Sequence, residues 1–251
     1  MVMPMSAEKK WAIVTGGSRG LGFETAKGLI TAGIHVYIIG QNPDRAKESA
    51  QTLGCEYRSV DVADSNKFRQ VLDDINQDAT NKGFGTLDIL VLAHGVMSEK
   101  MSKTLRTNDE EWRRVLAINL DAVFTAINHS ASAMAEARKG RVIVYSACLG
   151  RMSGPGTHGG LAPYRISKAG VNALVRNLAH ETGLGARGLL VDAICPNHSR
   201  TDMGGPDAPR SAEEGAATAI WLATRPFDAA GLTDQEKLTG VLWEDQQVVP
   251  W

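Results

Sequence analysis

Residues 11–33 read WAIVTGGSRGLGFETAKGLITAG, and they contain the clearest indication of the fold. Residues 11–15 have the length and apolar composition of a buried strand, and the amphipathic residues 20–32 have the length of a helix. The glycines between them permit a tight turn and a close approach of the backbone to a bound group. A strand, a glycine-rich turn and a helix N-terminus in this order are typical of a pyrophosphate-binding site.

Short β-rich runs alternate with helix-length amphipathic stretches through the rest of the chain. The predicted strands are Trp11–Thr15, His35–Ile39, Tyr57–Val60, Leu87–Ala93, Arg141–Ser146, Leu189–Cys195 and Leu238–Leu242. The predicted helices are 20–32, 43–53, 65–79, 109–137, 164–183 and 212–224. Apolar strands separated by helices indicate a parallel sheet of about seven strands with helices on both faces. We therefore expect an α/β fold, a single doubly wound (Rossmann) domain over residues 1–251.

Composition narrows the class of protein. The chain has 251 residues, of which 43% are hydrophobic and 22% charged, and its net charge is −1. No basic field favours nucleic acid, and no segment is long and apolar enough to predict a secretory leader or a membrane span. The three cysteines form no CxxC pair and the six histidines no HExxH motif. We therefore expect a cytoplasmic protein with reduced thiols, no metal site and a small-molecule substrate.

The loop TGGSRGLG, residues 15–22, is the first candidate site, and a purely structural turn is the weaker alternative. Its expected contacts to a dinucleotide are Gly16, Ser18, Arg19, Gly20, Leu21 and Gly22.

The end of the second predicted strand indicates which dinucleotide binds. An acidic residue there would accept a hydrogen bond from the ribose 2′-hydroxyl of NAD, but residues 39–42 read IGQN. Arg19 can instead pair with a 2′-phosphate, and Gln41 and Asn42 can donate to it, so NADP(H) is favoured over NAD(H). A solvated loop charge is the alternative for Arg19. Asp61 and Val62 suit the adenine ring, although an Asp that starts a helix would look the same.

Tyr164 and Lys168 are the candidate catalytic pair. Their spacing of i and i+4 places both side chains on one face of a helix. A nearby ammonium favours the phenolate, so we expect a lowered pKa for Tyr164, which suits acid–base chemistry near neutral pH.

Together these motifs resemble the short-chain dehydrogenase/reductase family over essentially the whole chain. The resemblance rests on TGGSRGLG, on Asn119 within AINLDAVF, on the Tyr164-xxx-Lys168 pair and on CPNHSRTDM at 195–203. The ending, which includes RTDMGGPDAPRSAEEGAATAIWLA and VVPW, is similar to the carbonyl-reductase branch, which is usually linked to NADPH.

The resemblance implies roles for individual residues. Tyr164 would donate a proton to the carbonyl oxygen, Lys168 would bind the nicotinamide ribose, and Asn119 would hold a water of the proton relay. Thr201 would contact the nicotinamide carboxamide. Further contacts to the cofactor are implied at Ala93, Gly95, Pro196 and Ser199. Helices such as 109–137 and 164–183 resemble those that join family homodimers and homotetramers.

The sequence departs from the family where a catalytic serine is usual. Aligning Gly140 and Gly150 without gaps places Ala147 at that position. Ser146 is the neighbouring hydroxyl and remains a candidate catalytic residue. Strand alternation turns it to the other face unless the strand bulges, so a structural role is the favoured alternative.

Two further departures lie beside the expected cofactor. Residues 92–95 read LAHG instead of the usual NNAG, and residues 196–199 read PNHS where the family has Pro-Gly. His198 and Ser199 would add polar groups near the nicotinamide, or they reflect altered loop packing.

These observations predict an NADPH-dependent oxidoreductase that transfers hydride to a C=O or C=N carbon. Without the serine hydroxyl, a protonated imine or a ketone with its own hydrogen bond is the expected substrate. The predicted substrate loops are 96–108, 150–163 and 202–212. One alternative is an alcohol dehydrogenase working in the oxidative direction. Another is a cofactor-bound protein with a non-redox role, as a binding module or a cyclase.

Overall fold

The sheet has eight strands, in the order β3-β2-β1-β4-β5-β6-β7-β8. A computed structural model describes residues 9–99, 102–226 and 233–251, so parts of the predicted domain and residues 100–101 of loop 96–108 lie outside it. The strands are β1 Trp11–Thr15, β2 His35–Gly40, β3 Glu56–Ser59, β4 Ile89–Leu92, β5 Arg141–Tyr145, β6 Leu190–Ile194, β7 Leu242–Glu244 and β8 Gln247–Val249. The helices are α1 Gly20–Thr31, α2 Pro43–Leu53, α3 Ser65–Asn81, α4 Asp109–Leu116, α5 Ala122–Glu136, α6 Ala162–Glu181 and α7 Ala212–Thr224.

The parallel strands β1 to β7 place their carboxyl ends at one edge of the sheet. Thr15, at the end of β1, pairs with Ile39 of β2 on one side and with Leu92 of β4 on the other. The strand order reverses between β1 and β4, and in open α/β sheets a ligand cleft forms at such a reversal. The glycine-rich loop after β1 therefore opens into this cleft.

Alternating side chains of the strands build two apolar layers. Ile13 faces the layer that packs under α3, α5 and α6, with Phe68 and Val175 at its centre. Val14 faces the opposite layer, which packs under α1 and α7 through residues such as Leu29. All five of these apolar side chains from the strand and helices are completely buried. Burial on both faces explains why the strands read as continuous apolar runs rather than as an alternating pattern.

The predicted helix 109–137 is interrupted. A π-helical turn, Ala117–Asp121, separates α4 from α5 and carries Asn119. Such single π turns often occur at functional sites. An amphipathic pattern does not reveal the extra residue, because the apolar face continues on both sides of it.

The predicted last strand, Leu238–Leu242, was wrong in position. The strand β7 begins at Leu242, because Gly240 has a φ of 75° that breaks the extended backbone before it. An eighth strand, β8, was not predicted, and it pairs with β7 in the antiparallel direction. The turn between them holds Asp245 and Gln246 at φ 51° and 60°, the left-handed geometry of a tight hairpin.

Candidate active site

A cleft of about 400 Å³ lies at the carboxyl ends of β1, β2 and β4. We call it the switch-point cleft. The predicted cofactor residues that line it are Gly16, Ser18, Arg19, Gly20, Leu21, Gly22, Gln41, Asn42, Asp61, Val62, Ala93, Gly95 and Thr201. The sheet topology thus brings together segments that are far apart in the chain.

The glycine-rich loop has the shape of an anion cradle. A Cβ on Gly22 would lie 2.3 Å from the carbonyl oxygen of Gly16, so only glycine allows α1 to approach the loop this closely. The N-terminus of α1 has no side-chain cap and no acidic residue in its first turn. Its free N–H groups and its positive dipole therefore point to an anion. These features fit a pyrophosphate.

The outer end of the cleft carries two arginines. Arg19 forms an ion pair with Asp202, and Arg45 lies 3.9 Å from the same carboxylate. Gln41 donates through its side-chain amide to Asp61 at 3.3 Å. Arg45 was not predicted as a site residue, although its place in the first turn of α2, the helix that follows β2, was a signal for it.

Asn42 and Asp61 also stabilise local backbone. The Asn42 side chain accepts from the N–H of Arg45 at 2.9 Å and so caps α2. Asp61 accepts from the N–H of Ala63 at 3.0 Å, whereas the residue that caps α3 is Asp64. Asp61 therefore does not start a helix. It lies at the wall of the switch-point cleft.

Tyr164 and Lys168 lie buried at the inner end of the site. The Nζ atom of Lys168 lies 5.9 Å from the centre of the Tyr164 ring and donates to the carbonyl of Tyr145 at 2.6 Å. A Cβ built on Gly95, at the cleft wall, would lie 3.7 Å from this Nζ, so Lys168 reaches the cleft behind Gly95.

Burial controls the acid–base properties of this pair. Burial lowers the pKa of Lys168 to about 8. The pKa of Tyr164 is raised, first by burial and then by negative charge at Cys148 and Cys195, whereas we expected it to be lowered. Burial makes the charged phenolate unfavourable because it removes the phenolate from water. The i, i+4 spacing indicates that Lys168 is near but carries no information about burial. Tyr164 is therefore a neutral phenol that holds its proton in this environment.

A preceding loop holds the amino end of α6 in place. The hydroxyl of Ser98 accepts from the N–H of Tyr164 at 2.9 Å, and the carbonyl of Ser102 accepts from the N–H of Ala162 at 2.8 Å. Both serines are buried. These bonds satisfy N–H groups that the first turn of a helix cannot pair internally. Sequence reasoning missed Ser98, because a lone loop serine carries no pattern.

Asn119 is completely buried in the π-helical turn. Its side-chain amide accepts from the N–H of Val96 at 2.8 Å and donates to the carbonyl of Val96 at 2.9 Å. It also donates to the hydroxyl of Ser167 at 3.1 Å. The side chain thus ties the loop after β4 to α6. Its predicted role in a proton relay stays a prediction.

Ser146 does not present its hydroxyl to Tyr164. The hydroxyl donates to the side-chain oxygen of Asn172 at 2.5 Å and lies 3.4 Å from the carbonyl of Lys168. The strand therefore turns Ser146 toward α6, as the structural alternative expected. The neighbouring side chain, Ala147, carries no donor.

The cofactor contacts predicted at Pro196 and Ser199 stay predictions. Neither Pro196 nor Ser199 lines the switch-point cleft. The hydroxyl of Ser199 is buried and donates to the carbonyl of Pro196 at 2.9 Å, and His198 pairs with the carbonyl of Gly204 at 2.8 Å. These contacts favour altered loop packing. Thr201, which does line the cleft, accepts from the N–H of Gly204 at 3.1 Å.

His94 is a buried wall residue of the cleft. Its Nδ1 shares a hydrogen bond of 2.6 Å with the hydroxyl of Thr15. Burial and the nearby charge of Lys168 lower the pKa of His94 to about 3. His94 is therefore a neutral imidazole that links β1 to the end of β4.

Two features are absent from the described residues. Within the described ranges, no helix is long and apolar enough to cross a membrane. No cluster of three or more His, Cys, Asp or Glu residues suited to a metal ion occurs in that same part of the chain.

The family model of short chain dehydrogenases matches residues 10–211. The 3-oxoacyl-(acyl-carrier-protein) reductase FabG of Salmonella typhimurium is 32% identical over 201 residues, which cover 79% of this chain and 77% of the relative. The FabG of Escherichia coli has the same identity and coverage, 32% over 201 residues.

Solved structures share the fold. A short-chain type dehydrogenase/reductase from Mycobacterium ulcerans has a TM-score of 0.77 at 24% identity, with 95% of this chain and 88% of that chain covered. A chain assigned as a short chain dehydrogenase from Shigella flexneri 2a, solved with NADP, has a TM-score of 0.79 at 20% identity, with 95% and 98% covered. The family model covers most of the chain, including the glycine loop, Tyr164 and Lys168. The chain therefore belongs to the short-chain dehydrogenase/reductase family.

Proposed function

We propose that this protein is an NADP(H)-dependent reductase that acts on a C=O or C=N bond of a small organic substrate. The observation that carries the proposal is the pair formed by Tyr164 and Lys168, buried beside a cleft whose helix N-terminus is free for an anion. A neutral buried phenol beside a cation is a proton donor for a developing oxyanion or amine.

The cleft would hold NADP(H) in a defined direction. The glycine loop and the N-terminus of α1 would hold the pyrophosphate. Arg19 and Arg45 would hold the 2′-phosphate, because both already face one carboxylate, Asp202, at the outer end. No acidic side chain follows β2 at Gln41, where NAD would require one. The NADP in the Shigella flexneri chain agrees with this assignment.

When bound, the cofactor supplies hydride. The protein would supply the proton, a nearby positive charge and the contacts that position them. Tyr164 holds a proton at its phenolic oxygen for the atom that receives negative charge. Lys168 places a positive charge near the ring, which opposes the cost of forming a buried phenolate. Asn119 and Ser98 keep the loop after β4 against α6, and so fix the position of the phenol.

The hydroxyl donor that Ala147 lacks indicates which substrate suits the site. Ala147 has no hydroxyl, and the Ser146 hydroxyl is bonded to Asn172. Loss of one preorganised donor to an oxyanion lowers the rate by about 10²–10³. A protonated imine carries its positive charge already and does not need that donor. We therefore favour a C=N bond, or a ketone that brings its own hydrogen bond.

A 3-oxoacyl thioester is the second candidate substrate. The relatives that are 32% identical are 3-oxoacyl-(acyl-carrier-protein) reductases, and this similarity supports it. Its reduction would still require a donor for the oxyanion, so the two candidates differ in their need for a hydroxyl at position 147.

The test measures oxidation of NADPH by the purified protein with a cyclic imine, a simple ketone and a 3-oxoacyl thioester. We expect Tyr164→Phe to lower turnover of the ketone and of the thioester by about 10²–10⁴, because their oxygen must gain a proton, and to lower imine turnover less, because a protonated imine brings its own proton. Ala147→Ser should raise simple-ketone turnover by about tenfold or more and leave imine turnover unchanged. Preference for the thioester would support the second candidate. Full activity of Tyr164→Phe, or turnover of simple ketones alone, would overturn the proposal.

We also propose a cytoplasmic homodimer or homotetramer that assembles through the outer faces of α5 and α6. Phe124 on α5 is 50% exposed and Ile166 on α6 is 45% exposed, and a second copy would bury such side chains. Analytical ultracentrifugation of the wild type beside Ile166→Glu would test it, since a monomeric wild type contradicts the assembly.

A further inference from the structure

Two cysteines lie at the carboxyl ends of adjacent strands beside the site. The N–H of Ser146 donates to the carbonyl of Ile194 at 2.8 Å, so the pairing of β5 with β6 continues to the edge of the sheet. Cys195 directly follows β6, and Cys148 begins the short 3₁₀ turn Cys148–Gly150 that follows β5. The hydrogen-bonded pairing therefore brings the two segments that carry these thiols together.

Both thiols lie on the same face of the sheet. Cys195 is only 2% exposed and belongs to the core under α5 and α6, and Cys148 packs against that core while remaining partly exposed. Each thiol shifts the pKa of the other, so the two side chains are neighbours at these paired strand ends. Negative charge at either sulfur raises the pKa of Tyr164, so the pair lies close to the phenol. The mechanism proposed above uses neither cysteine.

The contact distinguishes the two thiols. The hydrogen bond with Cys195 lowers the pKa of Cys148, and the same contact together with burial raises the pKa of Cys195. The partly exposed thiol, Cys148, is therefore the more readily ionised of the two, and thiolate is the form that reacts.

We propose that Cys148 and Cys195 are a thiol-modification site beside Tyr164 that reacts with small disulfides and closes to a reversible intramolecular disulfide.

The reaction is a balanced thiol–disulfide exchange. The Cys148 thiolate attacks one sulfur of a small disulfide, the bond between its two sulfurs breaks, and one small thiolate leaves. Cys195 then loses its proton to solvent and attacks the Cys148 sulfur, which expels the second small thiolate. The small disulfide is reduced to two thiols, and the cysteine pair is oxidised. A small dithiol reverses both steps.

A bond between the two sulfurs would affect the active site. In a disulfide the two sulfur atoms lie about 2.05 Å apart, so forming the bond pulls the turn Cys148–Gly150 toward the end of β6. Gly150 packs so closely on α6 that a Cβ there would lie 2.7 Å from the carbonyl carbon of Lys168. The turn therefore cannot move without disturbing Lys168. We expect oxidation to lower reductase turnover by about tenfold or more.

The test treats the purified full-length protein with oxidised glutathione and measures its intact mass and its disulfide-linked peptides. We expect a loss of about 2 Da, the two thiol hydrogens, and a peptide that links Cys148 to Cys195. Dithiothreitol should restore the original mass. This readout needs no turnover, so it remains decisive even if the proposed reductase activity fails.

Variants locate the reacting thiols. Cys195→Ala should stop at a mixed disulfide of Cys148 with one glutathione, and Cys148→Ser should show neither product. Cys55→Ser is the matched control, because Cys55 is also free and partly exposed but burial raises its pKa to about 11. It should behave as wild type.

Two results would overturn the proposal. One is wild-type protein that gives no peptide linking Cys148 to Cys195. The other is glutathione that adds to Cys55 as readily as to Cys148.

Discussion

Ser146 and Ala147 are neighbours in the extended backbone that directly follows β5, and this difference of one position decides which side chain faces Tyr164. Side chains on neighbouring residues of an extended strand point to opposite faces. The hydroxyl of Ser146 therefore meets Asn172 and the carbonyl of Lys168 on α6. An alanine occupies the adjacent position. The Ser146 hydroxyl is next to the expected catalytic position in the sequence, but it bonds to Asn172 instead.

The variant Ser146→Ala tests this assignment. We expect it to keep turnover within about twofold and to lose about 1–3 kcal/mol of unfolding free energy, because the buried Asn172 oxygen loses its donor. Steady-state kinetics and thermal unfolding measure the two effects. A large loss of turnover with unchanged stability would instead place the Ser146 hydroxyl at the substrate.

At the scale of the elements, the position of the phenol depends on a contact between a loop and a helix. α6 begins at Ala162, and its first N–H groups have no partner within the helix. Ser98 and Ser102, from the loop after β4, accept two of them. The loop therefore both satisfies the helix and orients Tyr164.

Ser98→Ala should lower unfolding free energy by about 1 kcal/mol, because it removes an acceptor equivalent to a helix cap. It should also lower turnover with little change in NADPH affinity, since Tyr164 shifts while the cleft stays intact. Kinetics and a binding titration separate these effects, and Ser98→Thr should restore turnover.

The matched control is Ser102→Ala. Ser102 is buried in the same loop, but it contacts α6 through its backbone carbonyl, which the substitution keeps. Equal losses of turnover in both alanine variants would contradict a specific role for the Ser98 hydroxyl.

At the scale of the whole molecule, His94 links stability to pH. Its pKa falls from 6.5 to about 3 on folding, so the unfolded chain binds more protons between these values. Stability contributed by neutral His94 is present above pH 6.5 and is lost as pH falls toward 3. The slope approaches about 1.4 kcal/mol per pH unit, or about 2 kcal/mol in total by pH 5.

Urea unfolding between neutral pH and pH 5 measures this dependence. His94→Gln should flatten the decline in unfolding free energy by about the amount above, because glutamine does not titrate. His158→Gln is the control, since His158 is exposed in a loop, and it should keep the wild-type slope. Parallel slopes for wild type and His94→Gln would refute the assignment.

Local features of the sequence determined the order of the elements, the glycine cradle and the Tyr164–Lys168 spacing. Each depends on residues within one turn or one short run, where period and composition are sufficient evidence. The positions of the last strand and of the π-helical turn were not visible in that way. The φ of 75° at Gly240 ends the extended backbone within the predicted last strand. The apolar face of the predicted helix continues across the π-helical turn, so the turn leaves no gap in the pattern.

Only the tertiary structure decided which groups meet. The partners Ser146 and Asn172, Arg19 and Asp202, and Cys148 and Cys195 come from segments that are distant in the chain. Burial then set the pKa of Tyr164 in the direction opposite to that expected from Lys168 alone. The physical reason is common to all of them. Desolvation and side-chain contact depend on how separate segments pack against each other, and no local pattern encodes that packing.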